Sequence, residues 1–355
     1  MKRILIALAA LSLALSAFGQ EASTPSLWQL VTRQEKTNEA FNVYLNFSGA
    51  FQETLNPAAS QFKGKDLRLD IGGTLWQHFR YRFRYNFLAK TTDYMAVGWK
   101  FNDYLELSAG KMRQIWGSFE LSENPVYIYQ YSEFAQHMDY YLPGIMLSWH
   151  PAPSQEIAVM VSNSFNGQRS FSGFEQSAHP LSYLLNWSGR MFGGRFNTRW
   201  TAGVQTMAKG QYAFVATLGQ QLALKRFQLS FDYLGEWDQV DRLGIVTKEL
   251  GFNSGIQYHT LIAKANWQFL PQWNLMGKGM YELSSVSDNE YLTNYRLSVG
   301  WVGSLEFYPW KGQDLRFFLA YVGRNLHYTQ ASGLFNNNGT THRLELGIMY
   351  RIKAY

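Results

Sequence analysis

The sequence predicts an all-β fold, a transmembrane antiparallel up-and-down β-barrel of about sixteen strands. Three observations predict it. From Phe41 to the C-terminus, stretches of roughly ten residues alternate ring or aliphatic side chains with polar ones. Phe, Tyr and Trp make up 17% of a chain whose mean hydropathy is only -0.26. An export signal stands at the N-terminus, yet the chain has no cysteine to cross-link an exported fold.

Alternation is plainest in FRYRFRYNF, residues 79 to 87, where Arg80, Arg82 and Arg84 take every second position and rings take those between. Successive strand side chains point to opposite faces, so this strand has one cationic and one aromatic side. In a soluble sandwich the rings would turn to the core and the guanidiniums to bulk water. In an outer-membrane barrel the rings meet lipid and the guanidiniums meet a wet lumen.

The N-terminal MKRILIALAALSLALSAFGQ carries Lys2 and Arg3, an apolar run from Ile4 to Leu15, and small residues at Ala17 and Gly19. That is the anatomy of a cleaved export signal over 1–19, with a mature chain from Gln20. Residues 20–39 are polar and read as a periplasmic lead-in, and 40–355 as the barrel. No apolar stretch of about 18 residues follows the signal, which argues against membrane helices and leaves strands to cross. The expected location is the outer membrane of a Gram-negative type envelope. Without Lys2 and Arg3 the formal charge of +6 falls to +4, spread along the chain with no basic block, so nucleic acid is not an expected partner.

The alternating stretches lie near 40–52, 66–76, 80–89, 92–101, 104–112, 142–150, 155–164 and 181–192, then 195–207, 212–224, 226–236, 258–269, 273–284, 294–307, 314–325 and 341–353. An even number keeps both chain ends on the periplasmic side. Tight turns between them carry rings on both shoulders, as in Trp76-Gln-His-Phe79, Phe101-Asn-Asp-Tyr104, Phe269-Leu-Pro-Gln-Trp273 and Tyr308-Pro-Trp310. Rings at a rim suit a membrane interface, where outer-membrane lipids would meet them. Connections at the other end run longer, at 113–141, 165–180, 237–257, 284–293 and 325–340. The last stretch ends on Tyr355, a terminal aromatic of the kind the outer-membrane assembly machinery recognises.

If rings face lipid, the opposite positions line a lumen. The inward cations are then Arg68, Arg80, Arg82, Arg84, Arg195, Arg199, Lys264, Lys278, Arg296, Arg316 and Arg343, with Arg226, Arg324 and Arg351 on the same parity. Inward acids are fewer: Asp66, Asp70, Glu106, Asp232, Glu282 and Glu345. Arg or Lys on the lipid face at mid-depth would cost about 2 to 4 kcal/mol, so charge and ring placement agree. Guanidiniums two residues apart stand roughly 6.5 to 7 Å from each other, a spacing that would pass an oxyanion such as phosphate from one fork to the next. The competing expectation is a general diffusion channel, in which an Arg wall faces acids on an inward loop.

Loop 113–141, RQIWGSFELSENPVYIYQYSEFAQHMDYY, is the natural constriction loop, being too long and aromatic for a bare surface loop. With the strand end before it, it supplies Lys111, Arg113, Trp116, Glu120, Glu123, Glu133 and Asp139. Pro125 and the ring-rich make-up of 122–137 favour a packed loop over a helix.

At this loop the sequence resembles a known family. YLELSAGKMRQIWGSFELSENP, residues 104 to 125, is similar to the region of phosphate-selective porins of the O and P type where a strand ending in Gly-Lys leads into a basic, aromatic, Gly-containing turn followed by Glu. Gly110, Lys111, Arg113, Gly117, Phe119 and Glu120 carry the likeness, and LPGIMLSWHP at 142–151 resembles the return strand. The resemblance implies a sixteen-stranded homotrimeric outer-membrane porin with an arginine ladder that conducts small anions. Trp116 stands where many members have Pro, and the loop lysines of the family's phosphate site have no match here.

Rival functions have weaker signals. An outer-membrane enzyme would need a Ser, His and acid together near the rim, but the seven His lie at turns, loops or strand ends and no G-x-S-x-G occurs. No cofactor is expected, and no metal either, since His and acids lack ligand spacing; Asp238 and Asp241 read as a charged outer loop before a calcium site. A closed structural barrel would need a plug or an extra domain, which 355 residues do not hold.

Overall fold

The computed structural model describes residues 40–354, apart from 56, 252–253 and 311–312. The predicted signal peptide, the lead-in over 20–39 and the terminal Tyr355 lie outside the described residues.

Sixteen antiparallel strands close into one barrel. They are β1 (Asn42–Leu55), β2 (Ala58–Leu75), β3 (Phe79–Asn86), β4 (Thr91–Lys100), β5 (Leu105–Arg113), β6 (Tyr141–Ala152), β7 (Gln155–Asn163) and β8 (Leu181–Met191). The second half is β9 (Phe196–Ala208), β10 (Gln211–Ala223), β11 (Phe227–Asp238), β12 (Ile256–Leu270), β13 (Trp273–Val286), β14 (Arg296–Phe307), β15 (Asp314–Tyr328) and β16 (Gly339–Lys353). Each strand pairs with its sequence neighbours, and β1 closes on β16 through partners such as Phe47 with Tyr350. Closure satisfies every strand edge, which an apolar surround requires.

Sidedness follows the alternation. On β3, Phe83 is 38% exposed while Arg82 and Arg84, its neighbours, are 5% and 3% exposed. Outward Ile145, Leu185, Leu261 and Leu346 are bare on the same scale, and inward Asp66, Asp70, Glu106, Asp232, Glu282 and Glu345 are buried. Short turns gather at the end where the chain termini lie. At the β2–β3 turn, Trp76 and Gln77 adopt positive φ of 50° and 65°.

The first hairpin departs from the predicted limits. β1 and β2 run on to Leu55 and Ala58, so residues 53–55 and 58–64, between the predicted strands, are themselves paired, with a register shift at Ser48 and Gly49. A bulge leaves one residue unmatched and turns it off the regular alternation.

Two long connections carry short helices. Between β5 and β6 stand α1 (Phe119–Ser122), a 3-10 turn (Pro125–Tyr127) and α2 (Glu133–His137). Ser118 and Ser132 cap the two helices, each accepting from a backbone N–H at 3.2 Å. Between β11 and β12 stands α3 (Ile245–Leu250), whose Ile245 and Val246 are buried among outer-end residues of the barrel. Among the described residues no helix is long and apolar enough to cross a membrane.

Candidate functional site

The chain between β5 and β6 turns into the barrel and lies along its inner wall, held by bonds that pass from strand to strand. Ser162 of β7 donates to the Gln114 amide oxygen at 2.8 Å. The Ile115 carbonyl accepts from Asn186 of β8 at 3.2 Å and Thr201 of β9 at 2.5 Å. The Gly117 N–H donates to Thr217 of β10 at 2.7 Å. Asp232 of β11 then accepts the N–H groups of Phe119 and Glu120, both at 2.8 Å. These are donors of the first helical turn, which have no partner within the helix.

Glycine permits the approach. A Cβ on Gly117 would lie 2.6 Å from the Thr201 nitrogen and 2.7 Å from the Arg199 carbonyl oxygen, and one on Gly219 of β10 would lie 2.6 Å from the Gly117 carbonyl oxygen. Loop and wall therefore meet backbone to backbone.

Beyond α1 the loop crosses the lumen. Lys264 of β12 donates to both Glu123 oxygens, at 2.5 and 2.7 Å, while the next residue, Asn124, donates to Asn46 of β1 at 3.4 Å. Tyr127 bonds Asp314 of β15, and Tyr129 donates to Glu306 of β14 at 2.7 Å. Burial first, and then the Glu306 carboxylate, hold the Tyr129 hydroxyl above its ordinary range, so it remains a donor. On the return limb, Lys278 of β13 reaches Glu120 at 2.5 Å, Arg296 of β14 holds Glu133 with two bonds of 2.7 and 2.6 Å, and Arg324 of β15 adds a contact at 2.9 Å. The three acids Glu120, Glu123 and Glu133 thus face cations on β12 to β15.

The arginine ladder is an ion-pair lattice. Arg82 donates to Asp70 at 2.7 Å and Arg84 donates to the same carboxylate at 3.0 Å. Their guanidiniums sit 4.4 and 5.3 Å from the Tyr94 ring centre. Arg80 donates to Glu106 at 2.8 Å, and Arg68 pairs with Asp66 and with Asp93 at 2.6 Å. Arg316 pairs with Glu306 at 3.2 Å and Arg343 with Glu345 at 2.5 Å. Arg113 instead bonds neutral groups, the Glu123 carbonyl at 3.2 Å and the Tyr141 hydroxyl at 3.1 Å. Among the described residues neither Arg113 nor Arg199 has a carboxylate within ion-pair distance, and the buried Arg199 Nε has no hydrogen-bond partner.

Two cavities adjoin below the loop. One of about 540 Å³ opens at the short-turn end, among the β10–β11, β12–β13 and β14–β15 turns. The other, about 220 Å³, lies under α1 beside Asp232, Lys264 and Lys278. Both touch Glu123, Gln228 and Asn266, so a polar path leads from that mouth to the loop.

Three predicted positions fall elsewhere. Arg195 is exposed in the β8–β9 turn, where the chain has already left the strand, and so stands at the rim instead of the wall. Lys111 belongs to β5 and pairs across to outward Met95, which is 64% exposed, so strand parity turns it away from the lumen. Asp139 meets Arg169 at 3.1 Å in the outer loop 164–180, because the chain has by then returned to the barrel end. Trp116 is buried between loop and wall. Asp238 and Asp241 hold their own loop, Asp241 accepting from Gly244 at 2.8 Å and Thr247 at 2.7 Å, and among the described residues no acid and histidine cluster suits a metal.

Sequence reading passed over Lys65, Tyr129 and Glu249. Lys65 is thrown inward at the β1–β2 register shift, to Glu345 at 2.7 Å. Glu249 of α3 meets Arg296 at 3.0 Å and accepts from Tyr295 and Tyr328. Arg296 is therefore gripped by both inward-reaching connections. Only the cluster of rings in 127–131 carried a signal that could have pointed to Tyr129.

Known structures share this architecture. The outer membrane channel DcaP of Acinetobacter baumannii aligns with a TM-score of 0.64 at 10% identity, over 90% of this chain and 99% of its own. An anion-selective porin from Comamonas acidovorans gives 0.60 at 9%, over 88% and 99%. The in-vitro folded trimer form of OmpT from Vibrio cholerae gives 0.58 at 10%, over 88% and 100%. A comparison with curated proteins finds no match. The family model described as phosphate-selective porin O and P matches residues 41–352, nearly the whole chain, and the chain therefore belongs to that family of outer-membrane channels for passive diffusion.

Proposed function

We propose that this channel passes small hydrophilic solutes with a modest preference for anions, phosphate among them, and that loop 113–141 is its constriction. One observation carries the reading: along the wall and at the loop the cations are almost all neutralised by carboxylates, and among the described residues Arg113 and Arg199, with Lys225 and Arg226 at the short-turn mouth, have no ion pair. A paired guanidinium adds little net potential to a water path, whereas an unpaired one raises the local anion concentration. An excess worth roughly 0.5 to 1 kcal/mol gives a chloride-to-potassium permeability ratio of about 2 to 5.

A second reading has its own support. Glu120, Glu123 and Glu133 in contact with Lys278, Lys264 and Arg296 leave transverse dipoles with no net charge, a short-range transverse field that sorts solutes by dipole and size with little preference for sign. Reversal potential across a KCl gradient in planar bilayers separates the two. A ratio near unity favours the transverse field, and a ratio above about 20, near 1.8 kcal/mol, would mean that the ladder acts unneutralised and would overturn both.

The trimer form of the fold neighbour OmpT supports a homotrimer, which migration of unheated protein in native gels tests. Outer-membrane lipids against the outward rings, and the assembly machinery reading β16, complete the proposed set of partners.

A further inference from the structure

The cavity at the short-turn mouth is more than an exit. Its volume of about 540 Å³ falls in the range of small-molecule sites. Arg316 forms its floor, fixed between the rings of Tyr127 and Tyr308 at 4.3 and 5.1 Å and paired to Glu306. Its walls are unlike that floor. Lys225 and Arg226, at the β10–β11 turn, have no ion pair among the described residues. Gln228 and Asn266 stand directly opposite each other on β11 and β12, and neither side-chain amide has a partner among the described residues. The Trp310 ring, 57% exposed, closes the remaining side.

We infer that this cavity is a binding subsite for an acidic sugar, a hydroxylated ring bearing a carboxylate. The inference rests on the channel reading and adds a ligand class to it. Lys225 and Arg226 supply charge-assisted donors for the carboxylate. Gln228 and Asn266 each offer a donor and an acceptor, the complement of vicinal hydroxyls. Trp310 offers an apolar plate for the C–H face of the sugar ring. A small inorganic anion would use the cations and leave amides and ring idle. A neutral sugar would leave the cations idle. Only a ligand with all three features engages the whole wall.

The test is blockade of ion current in planar bilayers, with glucuronate, glucose, acetate and benzoate each added to either side. Appearance of KCl steps reports the channel itself, so their absence would sink the channel reading, whereas steps without blockade sink only the subsite. Expected is blockade by glucuronate from the short-turn side at a concentration at least tenfold below that needed for glucose, acetate or benzoate. Lys225→Gln with Arg226→Gln removes the advantage over glucose, and Trp310→Ala weakens glucuronate several-fold. Lys209→Gln, which removes one positive charge in the connection at the opposite end, leaves blockade as in the parent. Equal blockade by acetate, equal blockade by benzoate, or blockade that survives the double change would each overturn the assignment.

Discussion

Replacing Asp70 by Asn unmasks the ladder. In the parent, one carboxylate accepts from Arg82 at 2.7 Å and from Arg84 at 3.0 Å, so a single negative charge masks two positive ones. Asn keeps the shape and one acceptor but removes the charge. An ion passing at about one Debye length, roughly 8 Å, feels the added charge as about 0.5 kcal/mol in bulk-like water and about 2 kcal/mol at an effective dielectric of 20. Anion partitioning should therefore rise by a factor of about 2 to 30, and cation partitioning should fall in step. Stability moves the other way: stripping the partner from a buried pair costs about 3 to 5 kcal/mol, so the barrel must first be shown folded by its gel shift on heating. Reversal potential in a KCl gradient is the readout. A folded D70N channel with the parent's reversal potential would refute the reasoning, since it would mean that no ion path lies within reach of Arg82 and Arg84.

Further expectations concern the loops and the outer wall. Gly117→Ala places a methyl 2.6 Å from the β9 backbone, an overpacking cost of about 1 to 3 kcal/mol, and should change single-channel conductance and add current noise while the barrel stays folded. Asp232→Ala orphans the buried Glu120 N–H at about 1 to 3 kcal/mol, and the part-buried Phe119 N–H with it, and should loosen the same loop, with Asp232→Asn intermediate in conductance noise. Arg242 of the outer loop holds Glu236 at 2.7 Å; burial pulls its guanidinium down, but the carboxylates of Glu236, Asp238 and Asp139 together outweigh burial and hold it above its ordinary value. Arg242→Ala should therefore cost about 3 to 5 kcal/mol locally and expose residues 239–251 to added protease, read on protein in liposomes. Leu261→Arg, on the outward face, should lower folding stability in liposomes by about 2 to 4 kcal/mol in a urea titration.

The number of strands, their order and their sidedness were legible because each rests on local rules. Period-two alternation fixes which face a residue occupies, and Arg80, Arg82 and Arg84 beside Phe79, Tyr81 and Phe83 leave one sidedness that avoids charge in lipid. Limits blur where the rule loses its grip: the polar, weakly alternating 53–65 reads as a gap, although its residues 53–55 and 58–64 pair at the far end of the first hairpin. Arg195 and Lys111 were misplaced for the same reason, a strand boundary at one and a parity at the other.

Acids gave the larger surprise. Sequence parity marked Asp70 and Glu106 as inward, yet their significance lay in register: Asp70 stands directly across from Arg84, within reach of Arg82 as well. Pairing between strands is settled by closure of the whole sheet, and no local pattern encodes it. The path of loop 113–141 is likewise a property of the closed barrel, because Gly117, Glu123 and Asn124 find their partners on β10, β12 and β1, strands more than seventy residues away in the chain. The sequence by itself determined a membrane barrel with rings outward and charges inward, since burial chemistry acts residue by residue. Only the tertiary structure decided which charges cancel and which stay free, because ion pairing depends on distances across the lumen that exist only once the last strand meets the first.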